Sequence, residues 1–64
     1  MVERKSSTVR LLTTTEVANR LRLEPGTIEN WRYQGKGPRF VRIGRVVRYP
    51  EDWLVQWVEE VRHG

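Results

Sequence analysis

Apolar positions recur along this chain with two different periods, and the changes of period divide it into segments. Val17, Ala18 and Leu21 fall at helical spacing, as do Ile28 and Trp31 after the intervening Leu23. Val41-Arg42-Ile43 and Val47-Arg48-Tyr49 then alternate residue by residue, which is the period of a strand. Trp53, Leu54, Trp57, Val58 and Val61 return to a spacing near 3.6 and form a broad apolar stripe on a last helix. Two short helices, a hairpin and a closing helix are therefore predicted.

Local signals place the boundaries. Thr13 followed three residues later by Glu16 predicts a capping box, with Leu12 and Val17 at the positions of a hydrophobic staple. That helix should end near Arg22, and Leu23 should plug the turn. Pro25 suits the first position of the next helix, which Gly26 weakens by up to about 1 kcal/mol. With Ile28 and Trp31 inward, Thr27, Glu29, Asn30, Arg32 and Tyr33 are left for the other sides. Gly35 ends the helix, Gly37-Pro38 turns the chain, and Pro50-Glu51-Asp52 opens the last helix with acids where the macrodipole favours them.

Two registers compete in the hairpin. A turn of Gly44 and Arg45 alone would place Val41 opposite Arg48 and Arg42 opposite Val47, mixing charge with apolar groups on each face. A three-residue connection of Gly44, Arg45 and Val46 pairs Ile43 with Val47 and Val41 with Tyr49, gathering one apolar face. Arg42 then opposes Arg48, an unfavourable pair unless an anion lies against it. The three-residue connection is the expected one. The core is expected to comprise Val17, Ala18, Leu21, Ile28, Trp31, Val41, Ile43, Val47, Tyr49, Trp53 and Trp57. Leu54 and Val58 are expected at its margin, partly exposed and available to a partner, against the plainer reading that the whole stripe is core.

Sixty-four residues give room for one small domain, and the absence of cysteine removes disulfides and zinc-thiolate sites as staples. The three tryptophans are the expected substitute, each able to bury roughly 150–250 Å². Residues 1–10 are polar and are expected to form a flexible arm, with the folded domain at 11–64. No apolar run has the length of a membrane span or a leader, so a cytoplasmic protein is expected.

Charge is unevenly placed. The net charge is +4. Arg32, Lys36, Arg39, Arg42, Arg45 and Arg48 face a single acid, Glu29, between residues 25 and 50, while Glu51, Asp52, Glu59 and Glu60 make the last segment acidic. A basic front points to a polyanion. No nucleophile–base pair, metal-ligand cluster or P-loop glycine pattern is present, and His63 stands without a ligand set, so neither catalysis, a metal, a cofactor nor a small-molecule ligand is expected. The candidate contacts are instead hydrogen-bond donors and charges. Thr27, Asn30, Arg32 and Tyr33 on the second helix would meet base edges and phosphates in a major groove, Asn pairing with adenine and Arg with guanine. Lys36, Arg39, Arg42, Arg45 and Arg48 would follow the backbone, with Arg45 at the hairpin tip entering the minor groove.

The segments Leu12-Thr13-Thr14 with Glu16-Val17-Ala18, Thr27-Ile28 with Asn30-Trp31-Arg32, Gln34 to Arg45, and Val47-Arg48-Tyr49 resemble small winged-helix proteins of the excisionase and MerR-like superfamily. The resemblance covers about residues 11 to 61 and is nearest to phage excisionases of the mycobacteriophage type. Glu24 and Gly26 depart from it, standing where a serine and a polar contact residue are more usual. It implies a mainly α fold with a small β-hairpin, a winged helix-turn-helix of order α-turn-α-β-wing-β-α. It also implies a recombination directionality factor that binds and bends double-stranded DNA at tandem sites in attachment-site arms. Such a factor assembles cooperatively, works with a phage integrase to favour prophage excision over integration, and acts at the nucleoid of a bacterial host. A small transcriptional regulator of phage or mobile-element genes would use the same surface. A protein-binding module with incidental basicity is a third, different class.

Overall fold

The computed structural model describes residues 10–64, so the expected arm lies, apart from Arg10, outside the described residues. The elements in order are β1 (Leu11–Leu12), α1 (Thr14–Leu21), α2 (Pro25–Gln34), β2 (Val41–Ile43), β3 (Val46–Pro50) and α3 (Glu51–His63). This is the expected winged helix-turn-helix. Strand β1 is an addition that the sequence pattern did not predict, since two residues carry no period.

Capping chemistry begins α1 as the sequence requires. The Glu16 N–H donates to Thr13 Oγ1 at 3.0 Å, and the Thr13 N–H donates back to Glu16 Oε1 at 2.9 Å. The helix ends on Arg22, held in the left-handed region at φ 59°. The Leu23 N–H reaches back to the Ala18 carbonyl at 2.9 Å. Helix α2 ends the same way on Gly35 at φ 71°, with the Lys36 N–H on the Trp31 carbonyl at 2.9 Å. Both turns are thus Schellman closures, one of them without glycine.

Strand β3 is central in an antiparallel sheet of order β1-β3-β2. Leu11 pairs with Pro50 and Leu12 with Tyr49, so the chain before α1 is tied to the chain before α3. The Glu51 N–H extends that tie to the Arg10 carbonyl at 2.9 Å. Pro50 is the last residue of β3 and the N-cap of α3, one position earlier than the sequence suggested. A further link joins α1 to the first turn of α3, where Arg20 Nη2 lies 2.6 Å from Glu51 Oε2.

The hairpin adopts the other register. Ile43 pairs with Val46, Arg42 with Val47 and Val41 with Arg48 across a two-residue turn of Gly44 and Arg45. Gly44, at φ 65°, supplies the positive dihedral at the first central position that a tight II′ hairpin turn requires. Turn chemistry therefore outweighs the gathering of apolar residues. The inward face consists of Phe40, Val47 and Tyr49, while Val41, Ile43, Val46 and Arg48 face away. Arg42 and Arg48 lie on opposite faces, and the expected pairing of like charges does not occur.

The buried core is Leu12, Val17, Ala18, Ile28, Tyr49 and Leu54, with Leu21, Trp31, Phe40, Val47, Trp57 and Val58 packed against it. Three expected core residues are corrected. Ile43 is 54% exposed, Val41 is half-buried outside the core because the register turns it outward, and Trp53 lies beside the core under Arg39. Conversely Leu54 is buried and Val58 half-buried, while Val55 and Val61 are the exposed apolar residues of α3. Trp57 does meet Trp31, with ring centroids 5.5 Å apart and planes tilted by 50°. The corner after α2 is pressed onto that indole: a Cβ at Gly37 would stand 2.8 Å from Trp31 Cε3.

Candidate nucleic-acid interface

Helix α2 divides by its own period. Ile28 is fully buried and Trp31 half-buried, which sends Gly26, Glu29, Asn30, Tyr33 and Gln34 outward. Tyr33 is 86% exposed, the extreme among the large apolar side chains. Thr27 flanks this face and is half-buried. Gln34 belongs to the outward face and was missed in the sequence reading, although it stands four residues after Asn30 and so shares its side of the helix.

Arg32 does not join that face. It follows Ile28 by four residues and therefore turns inward with it. Its Nη1 donates to Thr14 Oγ1 and to the Tyr49 hydroxyl, both at 3.0 Å. Its guanidinium lies 5.8 Å from the centroid of the Phe40 ring. These bonds engage one nitrogen of a side chain expected to read bases. Arg32 is half-buried and joins α1, α2 and β3.

Phe40 collects a second cation. The Arg42 guanidinium also lies 5.8 Å from its centroid, and the Tyr49 ring lies against it, tilted by 53° with centroids 5.7 Å apart. Phe40 thus brings the wing arginine and the α2 arginine to one ring, in the seam between helix and wing.

Lys36 and Arg39 sit where expected, exposed on the corner between α2 and the wing. With Arg32, Gly35, Gly37, Pro38, Phe40 and Trp53 they line an open cleft of about 320 Å³ whose charged lining is entirely cationic. Arg39 lies over the Trp53 ring at 5.9 Å. Arg45 is exposed in the turn, and Arg48 is half-buried with Nη1 donating to the Val47 carbonyl at 2.8 Å.

Among the described residues, the ion pairs lie elsewhere: Arg20 with Glu51, and Arg62 and His63 with Glu59. Lys36, Arg39, Arg42 and Arg45 therefore present positive charge without a carboxylate partner on the described part of the chain. Helix α2 also begins without a side-chain cap, since Glu24 makes no capping hydrogen bond. Pro25 has no N–H and the Thr27 N–H donates to the Glu24 carbonyl at 2.9 Å, which leaves the Gly26 N–H at the exposed start of the helix as the donor for a phosphate.

Among the described residues there is no cluster of three or more His, Cys, Asp or Glu able to hold a metal ion, and no helix long and apolar enough to cross a membrane. No curated protein matches the chain. A family model described as a helix-turn-helix domain does match it, over residues 11–62, from β1 through both helices and the wing into the last turn of α3. With an outward polar α2 face beside a basic wing, the chain belongs to this DNA-binding helix-turn-helix family.

Proposed function

We propose that this protein is a non-enzymatic recombination directionality factor of the excisionase type. It binds tandem sites in the arms of attachment DNA, bends them, and biases a phage integrase toward excision in a bacterial host. The observation that carries the reading is the two-part surface, polar on α2 and basic on the wing. Asn30, Tyr33 and Gln34 project from α2, while Arg42 and Arg45 extend along the wing. That geometry suits an α2 helix in the major groove and a wing tip in the adjacent minor groove.

A domain of this size buries roughly 600–1,000 Å² of its own surface on DNA. Useful occupancy then depends on neighbouring copies or on the integrase. The wing and the exposed apolar margin of α3, Val55 and Val61, are the surfaces assigned to those contacts.

The test is recombination of attachment-site DNA by the cognate integrase with and without the protein. Stimulated excision and suppressed integration are expected. Unchanged recombination together with sequence-specific DNA binding would reassign the protein as a small transcriptional regulator using the same surface.

A further inference from the structure

The observed register leaves the tip of the wing apolar on its outer face. Ile43 and Val46 pair directly across the turn, and they are 54% and 42% exposed. Val41 continues the same face. Nothing on the described part of the chain covers it, because Phe40, Val47 and Tyr49 use the opposite face to meet the core. A solitary exposed valine would need no explanation. Two β-branched side chains side by side at the tip of a projecting hairpin are a shaped feature.

The surrounding charge indicates the occupant. Arg45 lies in the turn between the two apolar residues, Arg42 extends from the inner face and Arg48 from the outer. An apolar tip bracketed by cations suits a groove with phosphates along its rims and, at its floor, base pairs whose apolar stacked faces can be parted. Directly paired side chains have Cβ atoms about 5 Å apart, so with their methyl groups the pair is broader than the minor groove of straight B-DNA, about 6 Å wide, and enters only where the groove is opened. Minor-groove proteins that bend DNA insert such apolar wedges between base pairs.

We infer that Ile43 and Val46 form a wedge that enters the minor groove beside Arg45 and partly unstacks one base step, and that this contact produces the bend. The inference rests on the DNA reading of the wing given above. It assigns affinity and bending to different atoms of one hairpin: Arg42, Arg45 and Arg48 hold the phosphate rims, and the apolar pair opens the stack. A pyrimidine–purine step is the expected target, since it unstacks with least resistance.

The test uses a duplex that the protein itself selects from a random pool, with 2-aminopurine placed in turn at each position of the protected site and its flanks. Wild-type protein is expected to raise 2-aminopurine fluorescence at one step, and to kink the duplex by roughly 20° or more in permuted-position gels. Ile43→Thr with Val46→Thr keeps β-branching and should keep the fold. That variant is expected to bind within about fivefold of wild type while losing the fluorescence rise and at least half of the bend, since rim arginines supply most of the affinity. A wild-type complex with no unstacked step overturns the wedge, independently of any variant. So does a variant that unstacks and bends as wild type does. A variant that keeps both but loses cooperative assembly overturns it in favour of a protein-docking patch. A chain that selects no duplex overturns the wing's DNA role and the wedge together.

Discussion

Arg32 Nη1 lies 3.0 Å from the hydroxyl of Tyr49, so the guanidinium of the recognition helix is fixed to the central strand rather than offered whole to DNA. The same nitrogen reaches Thr14, and the Phe40 ring receives both this arginine and Arg42. The angle between α2 and the wing is therefore set by a half-buried polar contact as well as by apolar packing.

Breaking that contact should first cost stability. Hydrogen bonds involving a charged group contribute about 1.5–3 kcal/mol. Tyr49→Phe is expected to lose about 1–2 kcal/mol, and Arg32→Ala somewhat more because Thr14 loses its donor too. Urea unfolding measures both. Because the two changes remove one shared contact, their effects should combine to less than their sum. Strict additivity would refute the network.

Two left-handed glycines give a contrast. Gly35, at φ 71°, has open space where a Cβ would stand, whereas Gly37, at φ 89°, has Trp31 Cε3 within 2.8 Å of it. Gly35→Ala should cost about 1–2 kcal/mol for the dihedral alone. Gly37→Ala adds displacement of the indole and should cost about 1–3 kcal/mol beyond that. Equal melting temperatures for the two variants would contradict the packing.

Core damage should remove DNA binding without removing a DNA contact. Leu54→Ala is expected to destabilise the domain by about 2–5 kcal/mol, a large fraction of what a domain this small possesses. Circular dichroism and DNA titration should fail together and recover together as temperature falls.

The signals that were legible in the sequence are local ones. Thr13 and Glu16 lie three residues apart, and their geometry is complete once α1 starts. Gly35 ended α2 where a glycine was expected. The hairpin register follows turn geometry rather than the apolar pattern. Val41 and Ile43 looked like core by composition, but Gly44 at the first position of a tight turn fixes a register that sends them outward, and the aromatic pair Phe40 and Tyr49 fills the inner face. Leu54 is buried because it joins Leu12, Val17 and Tyr49, residues distant in sequence whose meeting the local pattern does not encode. Arg32 is legible by its period, since four residues after Ile28 it turns inward with it, and Gln34, four after Asn30, shares the outward face.

The two parts of the interface should separate by substitution. Asn30→Ala should cost about 1–3 kcal/mol against the preferred sequence and relax discrimination at one base pair. Arg45→Ala should weaken binding to all duplexes and reduce the magnitude of the salt slope by about 1 from a starting value of about −5, the slope for roughly six phosphate contacts. Fluorescence anisotropy at several salt concentrations, on selected and scrambled duplexes, reads both.

The central claim is that α2 and the wing together form the DNA-binding surface. Amide chemical-shift mapping of the isotopically labelled protein with a selected duplex tests it most directly. The expected result is a continuous set of shifted or broadened signals over Thr27–Gln34 and Lys36–Arg48, with Val55–Val61 of α3 unmoved. Perturbations centred on α3, with Asn30, Tyr33 and Arg45 unchanged, would contradict it.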